Sequence, residues 1–154
     1  MKTPPLKRHR ALQNLSREHH DSLLFVLRLQ KGVARKADIE EMEAYINWFW
    51  TSHLSIHFKL EETHLFPKYG LEKSLVNKAI EQHKLIQQLV HQQPQSYDNI
   101  TQLSKTLKSH IRFEERELFM RIQRDLSAKE LAEFESIHNH QLDCGLWVNR
   151  FWEY

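Results

Sequence analysis

The sequence contains very little cysteine, glycine or proline. Its single cysteine, Cys144, excludes a disulfide framework and a cysteine-based zinc site. Three glycines and four prolines in 154 residues favour an all-helical fold. The N-terminal residues lack the apolar core of a secretion signal, and no run of 18 apolar residues predicts a membrane span. The expected location is therefore cytoplasmic.

The chain also lacks a large excess of positive or negative charge, since its formal net charge is only +2 with neutral histidines. This balance predicts neither a nucleic-acid partner nor a membrane partner. The basic cluster Lys7–Arg10 is short and has no interleaved aromatic residues, so we interpret it as a solvated arm. Nothing near Cys144 indicates an activated thiolate, and a small packed residue is the expected role.

Apolar residues recur at three- and four-residue steps along most of the chain, which predicts amphipathic helices. Residues 1–15 are expected to form an N-terminal arm, and residues 16–154 a single domain. Short connections between long helices predict an up-down-up-down four-helix bundle. The predicted helices cover about 16–32, 39–66, 72–92, 98–124 and a short segment at 128–140.

Ten residues of the predicted second helix recur in the fourth. Residues 57–66 read HFKLEETHLF and residues 110–119 read HIRFEERELF, with five identical positions. In each copy a histidine precedes a glutamate by four residues, which places both on one helix face. Chance alone supplies roughly one such pair in this composition. The evidence therefore comes from the residues that the two copies share and from the helix face they occupy, and the four-residue His–Glu spacing adds little.

Each predicted long helix carries a histidine on its apolar face, and two of them also carry a glutamate. Burying unpaired imidazoles and carboxylates among leucines costs several kcal/mol. A metal ion removes this cost, because it neutralises carboxylates and takes up imidazole lone pairs. The residues with this placement are His19, His57, Glu61, His83, His110 and Glu114.

Four short pieces resemble the hemerythrin-like family, the histidine-histidine-glutamate cation-binding bundles, over about residues 12–124. They are Leu15-Ser-Arg-Glu-His19, His57-Phe-x-x-Glu61-Glu, Glu81-Gln-His83 and His110-Ile-x-x-Glu114-Glu. The resemblance implies a non-haem, oxygen-bridged centre of two iron ions, with manganese or zinc as alternatives. It implies His19, His57, His83 and His110 as terminal ligands, and Glu61 and Glu114 as bridging ligands.

The chain departs from the oxygen-carrying hemerythrins at two positions. Those proteins have a second histidine four residues after the first on helix three, where this chain has Gln87. They use an Asp five residues after the histidine of helix four, whereas Glu114 and Glu115 are both available here. We prefer Glu114, which lies on the apolar face and matches Glu61. The missing histidine leaves about two of twelve octahedral positions open, which disfavours reversible oxygen transport.

The resemblance therefore implies a metal centre that binds or senses a small ligand (dioxygen, nitric oxide or peroxide) or iron itself. The alternative is an enzyme that turns over peroxide or nitric oxide, or a protein that delivers iron for iron–sulfur repair. Whether the protein is an enzyme stays open at this point. A ferritin-like oxidase is disfavoured because its Glu-x-x-His order is reversed here. A bundle without metal is the remaining alternative.

The sequence also predicts positions for the other histidines, two further glutamates and the aromatic tail. His19 is preferred to His20 because it continues the apolar face, and His53 is expected to line the access route or to hydrogen-bond near the centre. Glu62 and Glu115 are expected on a solvated face. The remaining histidines, expected at the surface, are His64, His91, His138 and His140. The aromatic tail is expected to pack over the bundle, or alternatively to form a homodimer interface.

Overall fold

Five helices make up most of the part of the chain that the computed structural model describes, residues 7–139 and 145–153. No β-strand occurs within those ranges. The helices are α1 (Gln13–Ala34), α2 (39–69), α3 (Ser74–Val90), α4 (97–125) and α5 (Ala128–Ile137). The all-helical bundle predicted from the sequence is confirmed. No helix among the described residues is both long enough and apolar enough to cross a membrane.

Three wide turns interrupt the two longest helices. In α2 they are Trp50–Leu54 and Glu61–Leu65, and in α4 the turn is Glu114–Leu118. Each is closed by a hydrogen bond from a backbone N–H to the carbonyl five residues earlier, as from Phe66 to Glu61. Such π-helical turns insert one extra residue and are often found at functional sites. Two of the three begin at a glutamate that was predicted to bind metal.

The helix ends differ from the predicted ones for identifiable reasons. Helix α1 begins at Gln13 rather than after Ser16, whose hydroxyl instead donates to the Glu115 carboxylate at 2.9 Å. Helix α2 continues past Pro67 to Tyr69, because Pro67 lies in the first turn of a new segment, where its missing N–H costs little. The predicted capping box of Ser127 and Glu130 is confirmed. Helix α5 ends at Ile137, three residues earlier than predicted.

Two apolar clusters form the core, and a layer of histidines and glutamates separates them. One cluster contains Phe25, Tyr45, Ile86 and Leu107, and the other contains Leu15, Leu65, Phe119 and Phe134. Each of the four long helices therefore runs from one apolar cluster, through the polar layer, into the other. This arrangement places the predicted metal ligands near the middle of the bundle.

The aromatic tail packs back over the bundle. Phe151 and Trp152 are buried, and both rings contact Tyr45, with centroids 5.3 and 5.5 Å away. The guanidinium of Arg28 lies 4.3 Å from the centre of the Trp152 ring, a cation–π contact. Phe151 and Trp152 thus pack against the helices of their own chain. Tyr154 lies outside the described residues.

The N-terminal arm is not fully solvated, contrary to expectation. Arg8 donates hydrogen bonds to the carbonyl oxygen of Glu115 at 2.6 Å and to Gln123 Oε1 at 3.0 Å. Its guanidinium also lies 5.5 Å from the centre of the Phe119 ring. Arg8 thereby attaches the arm to α4 beside the π-helical turn.

Candidate metal centre

The six residues singled out from the sequence converge in the polar layer, and each is at most 3% exposed. Their donor atoms form two groups, and within each group these atoms lie within 4.8 Å of one another. One group is His19, His57, Glu61 and Glu114, and the other is Glu61, His83, His110 and Glu114. Two half-sites thus share two carboxylates. We call the pair His19 and His57 the first half-site, and the pair His83 and His110 the second half-site.

Each shared carboxylate faces one histidine of each half-site. Glu61 Oε1 lies 3.4 Å from His57 Nε2 and 3.3 Å from His83 Nε2. Glu114 Oε1 lies 2.9 Å from His110 Nε2 and 3.1 Å from His19 Nε2. The four Nε2 atoms therefore point toward one small volume bounded by the two carboxylates. This pattern is suited to two cations that share Glu61 and Glu114.

The outer nitrogen of each histidine donates a hydrogen bond to a side chain on another helix. His19 Nδ1 donates to Glu115 (2.8 Å), His57 to Glu18 (2.7 Å), His83 to Glu62 (2.7 Å) and His110 to Gln82 (2.6 Å). Carboxylate and amide oxygens accept these bonds, so each Nδ1 carries a proton and Nε2 is left to bind a metal. Metal-binding histidines are commonly oriented in this way.

These four outer hydrogen bonds form a closed ring around the bundle. Helix α1 accepts from α2, α2 from α3, α3 from α4, and α4 from α1. Each long helix therefore supplies one histidine and also holds the histidine of another helix. These outer hydrogen bonds orient the four imidazoles so that their Nε2 atoms face the shared carboxylates.

The expectation that Glu62 and Glu115 lie on a solvated face holds only in part. Their side chains are 39% and 30% exposed, yet each accepts a hydrogen bond from a histidine of the centre. In both copies of the repeat, the first glutamate faces the centre and the second reaches a neighbouring helix. The paired glutamates in both copies were a sequence signal for this division of roles. The preference for Glu114 over Glu115 as the inward residue agrees with this geometry.

Sequence reasoning missed Glu18, which is fully buried beside the first half-site. One of its oxygens accepts from His57, and the other accepts from His138 Nε2 at 2.7 Å. His138 was expected at the surface, but this is wrong, since it is only 6% exposed. Glu18 precedes His19 just as Gln82 precedes His83, and this parallel was a usable signal. Nothing in the sequence around His138 pointed to its partner.

His53 borders the first half-site without joining either group. Its ring centre lies 6.4 Å from that of His57, and it stacks on Phe49 at 4.7 Å. Both ring nitrogens are buried without a hydrogen-bond partner among the described residues, and Nε2 lies 3.5 Å from Asp21 Oδ2. His53 thus lies beside the centre, but the expected hydrogen bond near the centre is not found among the described residues, and its role along an access route stays a prediction.

The other histidines that the structure describes are not among the donor groups of the centre. His20 is exposed, so the structure favours His19 as the inward residue of the pair. His91 is exposed as expected, and His64 is partly exposed. His140 and Cys144 lie outside the described residues.

The two shared carboxylates have different proton affinities in the metal-free site. Burial and the nearby Glu114 carboxylate raise the pKa of Glu61 well above its ordinary value. Burial also acts to raise the pKa of Glu114, but contacts with His110 and His19 outweigh it and lower this pKa. Two like charges this close in a buried site are costly, which accounts for the opposite directions of the two shifts.

The histidines are likewise shifted in opposite directions. Burial lowers the pKa of His57 to about 4 and also lowers the pKa of His110. Burial opposes protonation of His19 as well, but hydrogen bonds to Glu114 and Glu115 raise its pKa to about 9. His19 therefore binds a proton more tightly than His57 or His110 does, because Glu114 and Glu115 compensate its positive charge.

Unpaired polar atoms at the centre test whether a metal fits. Four buried atoms there lack a hydrogen-bond partner among the described residues: His57 Nε2, both oxygens of Glu61 and Glu114 Oε2. Leaving such atoms unpaired is expensive, and cations between the half-sites would satisfy all four. The donors are nitrogen and oxygen without sulfur, which suits iron or manganese and is compatible with zinc. The residues present therefore fit a metal.

Aromatic rings shield the centre on both sides. Phe58 stacks on His83 with ring centres 3.8 Å apart, and Phe119 stacks on His19 at 5.3 Å. Outside Phe58 lies a surface pocket of about 350 Å³, lined in part by Glu62, His83 and Gln87. Gln87 is thus a surface residue of this pocket and does not reach the centre.

Comparison with known protein families also supports a cation-binding bundle. No match was found among curated proteins or among solved structures. The family model of the hemerythrin HHE cation binding domain matches residues 10–122, about three quarters of the chain. This range contains all six inward residues but not α5 or His138. The chain therefore belongs to the hemerythrin HHE cation-binding domain family.

Proposed function

We propose that this protein binds two metal ions, most suitably iron, in the polar layer of the bundle. Each histidine binds one ion through Nε2: His19 and His57 at the first half-site, and His83 and His110 at the second. Glu61 and Glu114 bridge the two ions. The observation that carries this proposal is the pair of overlapping donor groups that share both glutamates.

The surrounding side chains prepare the centre for this role. The outer hydrogen bonds fix the four imidazoles, and Phe58 and Phe119 stack on His83 and His19. When bound, iron supplies redox activity and open positions for dioxygen, nitric oxide or peroxide. Two octahedral ions have about twelve positions, of which the six side chains and one bridging oxygen fill about ten.

The function that this site supports best is the binding or sensing of a small ligand, or of iron itself. Gln87 takes the place of a further histidine and lies at the surface, and among the described residues only four histidines belong to the donor groups. Oxygen transport is therefore the least supported role. The pocket beside His83 gives small molecules a place close to the centre, which also keeps turnover of peroxide or nitric oxide, or iron delivery, as the alternative.

Elemental analysis of the purified protein tests the metal centre. We expect about two metal ions per chain, because each half-site has its own pair of histidines. His57→Ala and His110→Ala should each lower this content, whereas the exposed His91→Ala should not. Less than about one ion per chain in the wild type, with no loss in either variant, would contradict the proposal.

Stopped-flow mixing with peroxide or nitric oxide separates the two roles. A binder gives one spectral change per centre and then stops. Rapid consumption of many equivalents would instead establish the enzyme. The same measurement on His110→Ala shows whether any turnover depends on the centre.

A further inference from the structure

The two half-sites differ in one outer side chain. His57 donates to the carboxylate of Glu18, whereas His110 donates to the amide oxygen of Gln82. The other two outer acceptors, Glu115 and Glu62, are both carboxylates. Glu18 and Gln82 hold equivalent positions, each immediately before a histidine of the centre. The half-sites therefore differ by one buried negative charge.

His138 fixes that charge in place. Glu18 lies between His57 and His138, with 2.7 Å hydrogen bonds on both sides, and it is completely buried. The end of α5 is also attached to α1, because Asn14 Nδ2 donates to the His138 carbonyl at 3.3 Å. A residue from beyond the part of the chain that matches the family thus completes the surroundings of the first half-site.

An anionic acceptor makes an imidazole a stronger metal ligand than a neutral one does. A buried carboxylate also attracts a nearby cation strongly, because little water screens it. We propose that the two half-sites are inequivalent, and that Glu18 and His138 make the first half-site hold its metal ion more tightly than the second. This inference rests on the two-metal centre proposed above. His138 acts through Glu18 and His57 and is a positioning residue.

The inequivalence gives the two ions different roles. The ion of the first half-site is held tightly and exchanges slowly. The second half-site is weaker, and it lies beside the surface pocket lined by Glu62, His83 and Gln87. Exchange of metal with the solution therefore begins there.

Release of iron from the loaded protein to an excess of a coloured chelator tests this inequivalence. The wild type should release iron in two phases of similar amplitude. Glu18→Gln, which makes both acceptors amides, should accelerate the slow phase about 10- to 100-fold and bring it close to the fast one. Gln82→Glu, which makes both carboxylates, should slow the fast phase. Both substitutions conserve shape, and circular dichroism checks that the helices are intact.

His138→Ala tests the positioning role, and we expect about tenfold faster release in the slow phase. Asn14→Ala is the matched control, since it removes a second hydrogen bond between α1 and the end of α5 and leaves Glu18 untouched. His138→Gln should restore much of the slow release, because its amide can still donate to Glu18. Equal acceleration by Asn14→Ala, or no rescue by His138→Gln, would overturn the positioning role.

The outcomes separate this inference from the proposal on which it rests. Two ions per chain released in a single phase, or a slow phase unchanged in Glu18→Gln, would overturn the inequivalence and leave the two-metal centre standing. A wild-type protein that takes up no iron or other metal would overturn both.

Discussion

Each histidine of the centre makes two different contacts, one through Nε2 toward the shared carboxylates and one through Nδ1 toward the outside. The sequence predicts only the inward contacts, because it identifies the ligand residues and not their outer partners. The outward contacts decide how each ring is oriented and which nitrogen is free. A single outer residue can therefore influence metal binding strongly, although it does not itself bind the metal.

Glu62 offers a direct test of an outer hydrogen bond, because it is partly exposed and its loss should leave the fold intact. Glu62→Ala removes the acceptor of His83 Nδ1, so we expect metal affinity about 10- to 100-fold lower. Competition with a chelator of known affinity measures this change. Glu117→Ala, an exposed glutamate of the other repeat copy, should bind metal as the wild type does.

The proton on His19 predicts how the stability of the metal-free protein depends on pH. Contacts with Glu114 and Glu115 raise the folded-state pKa of His19 to about 9, from an ordinary value of 6.5. The stabilisation is therefore complete below pH 6.5 and is lost as the pH rises through 9. Urea unfolding of the metal-free wild type and of His19→Gln should differ most near pH 6 and least above pH 9 (difference curves, since other groups also titrate). A constant difference would contradict this account.

The inward residues were predictable from the sequence, and the outer ones largely were not. His19, His57, His83 and His110 replace apolar residues on amphipathic faces, and this is visible in a single sequence. The outer bonds of Glu18 and Glu115 depend on how neighbouring helices are aligned along the bundle. Helix periodicity does not fix that alignment. His138 was unpredictable for the further reason that it lies on an element whose docking the sequence does not specify.

At the scale of whole elements, the helices followed from sequence, but their π-helical turns did not. Periodicity identified five helices and most ends within a few residues. The turns at Glu61–Leu65 and Glu114–Leu118 add a residue without breaking the apolar pattern, so they leave no distinct signature. Their identical location in both repeat copies indicates that they belong to the centre. Each begins at the inward glutamate, and the second glutamate of the pair follows within the same turn.

The aromatic tail is a second element whose contribution can be measured. Phe151 is almost completely buried against α1 and α2, and a Cβ at Gly32 would lie only 2.7 Å from its ring, so the fit is tight. Phe151→Ala should lower the free energy of unfolding by about 3 kcal/mol, as expected for a lost core phenylalanine. Urea denaturation measures this value. Val148→Ala, at a 91% exposed position nearby, should change it by less than about 0.5 kcal/mol.

At the scale of the whole molecule, a polar layer divides the core into two apolar clusters. Such a division costs stability, because buried carboxyls and imidazoles replace apolar contacts between the clusters. Cations at the centre compensate for this cost. The stability of this bundle should therefore depend on metal binding, whereas that of a bundle with a continuous apolar core would not.

Metal binding should therefore raise the melting temperature. At a free metal concentration about 100 times the dissociation constant, binding adds about 2.7 kcal/mol. For a chain of this size that corresponds to a rise of about 5–10 °C. Scanning calorimetry with and without metal measures the shift. The double variant His57→Ala/His110→Ala should show almost none, and an equal shift in that variant would point to a binding site elsewhere.

The ring of outer hydrogen bonds has a consequence for how the protein is made. On a ribosome, α1 and α2 emerge first, carrying His19 and His57. His19 then still lacks Glu115, and the first half-site lacks Glu114, because both residues lie on α4. The growing chain therefore cannot assemble either half-site before synthesis has passed α4. A complete metal centre can therefore form only after α4 has been synthesised.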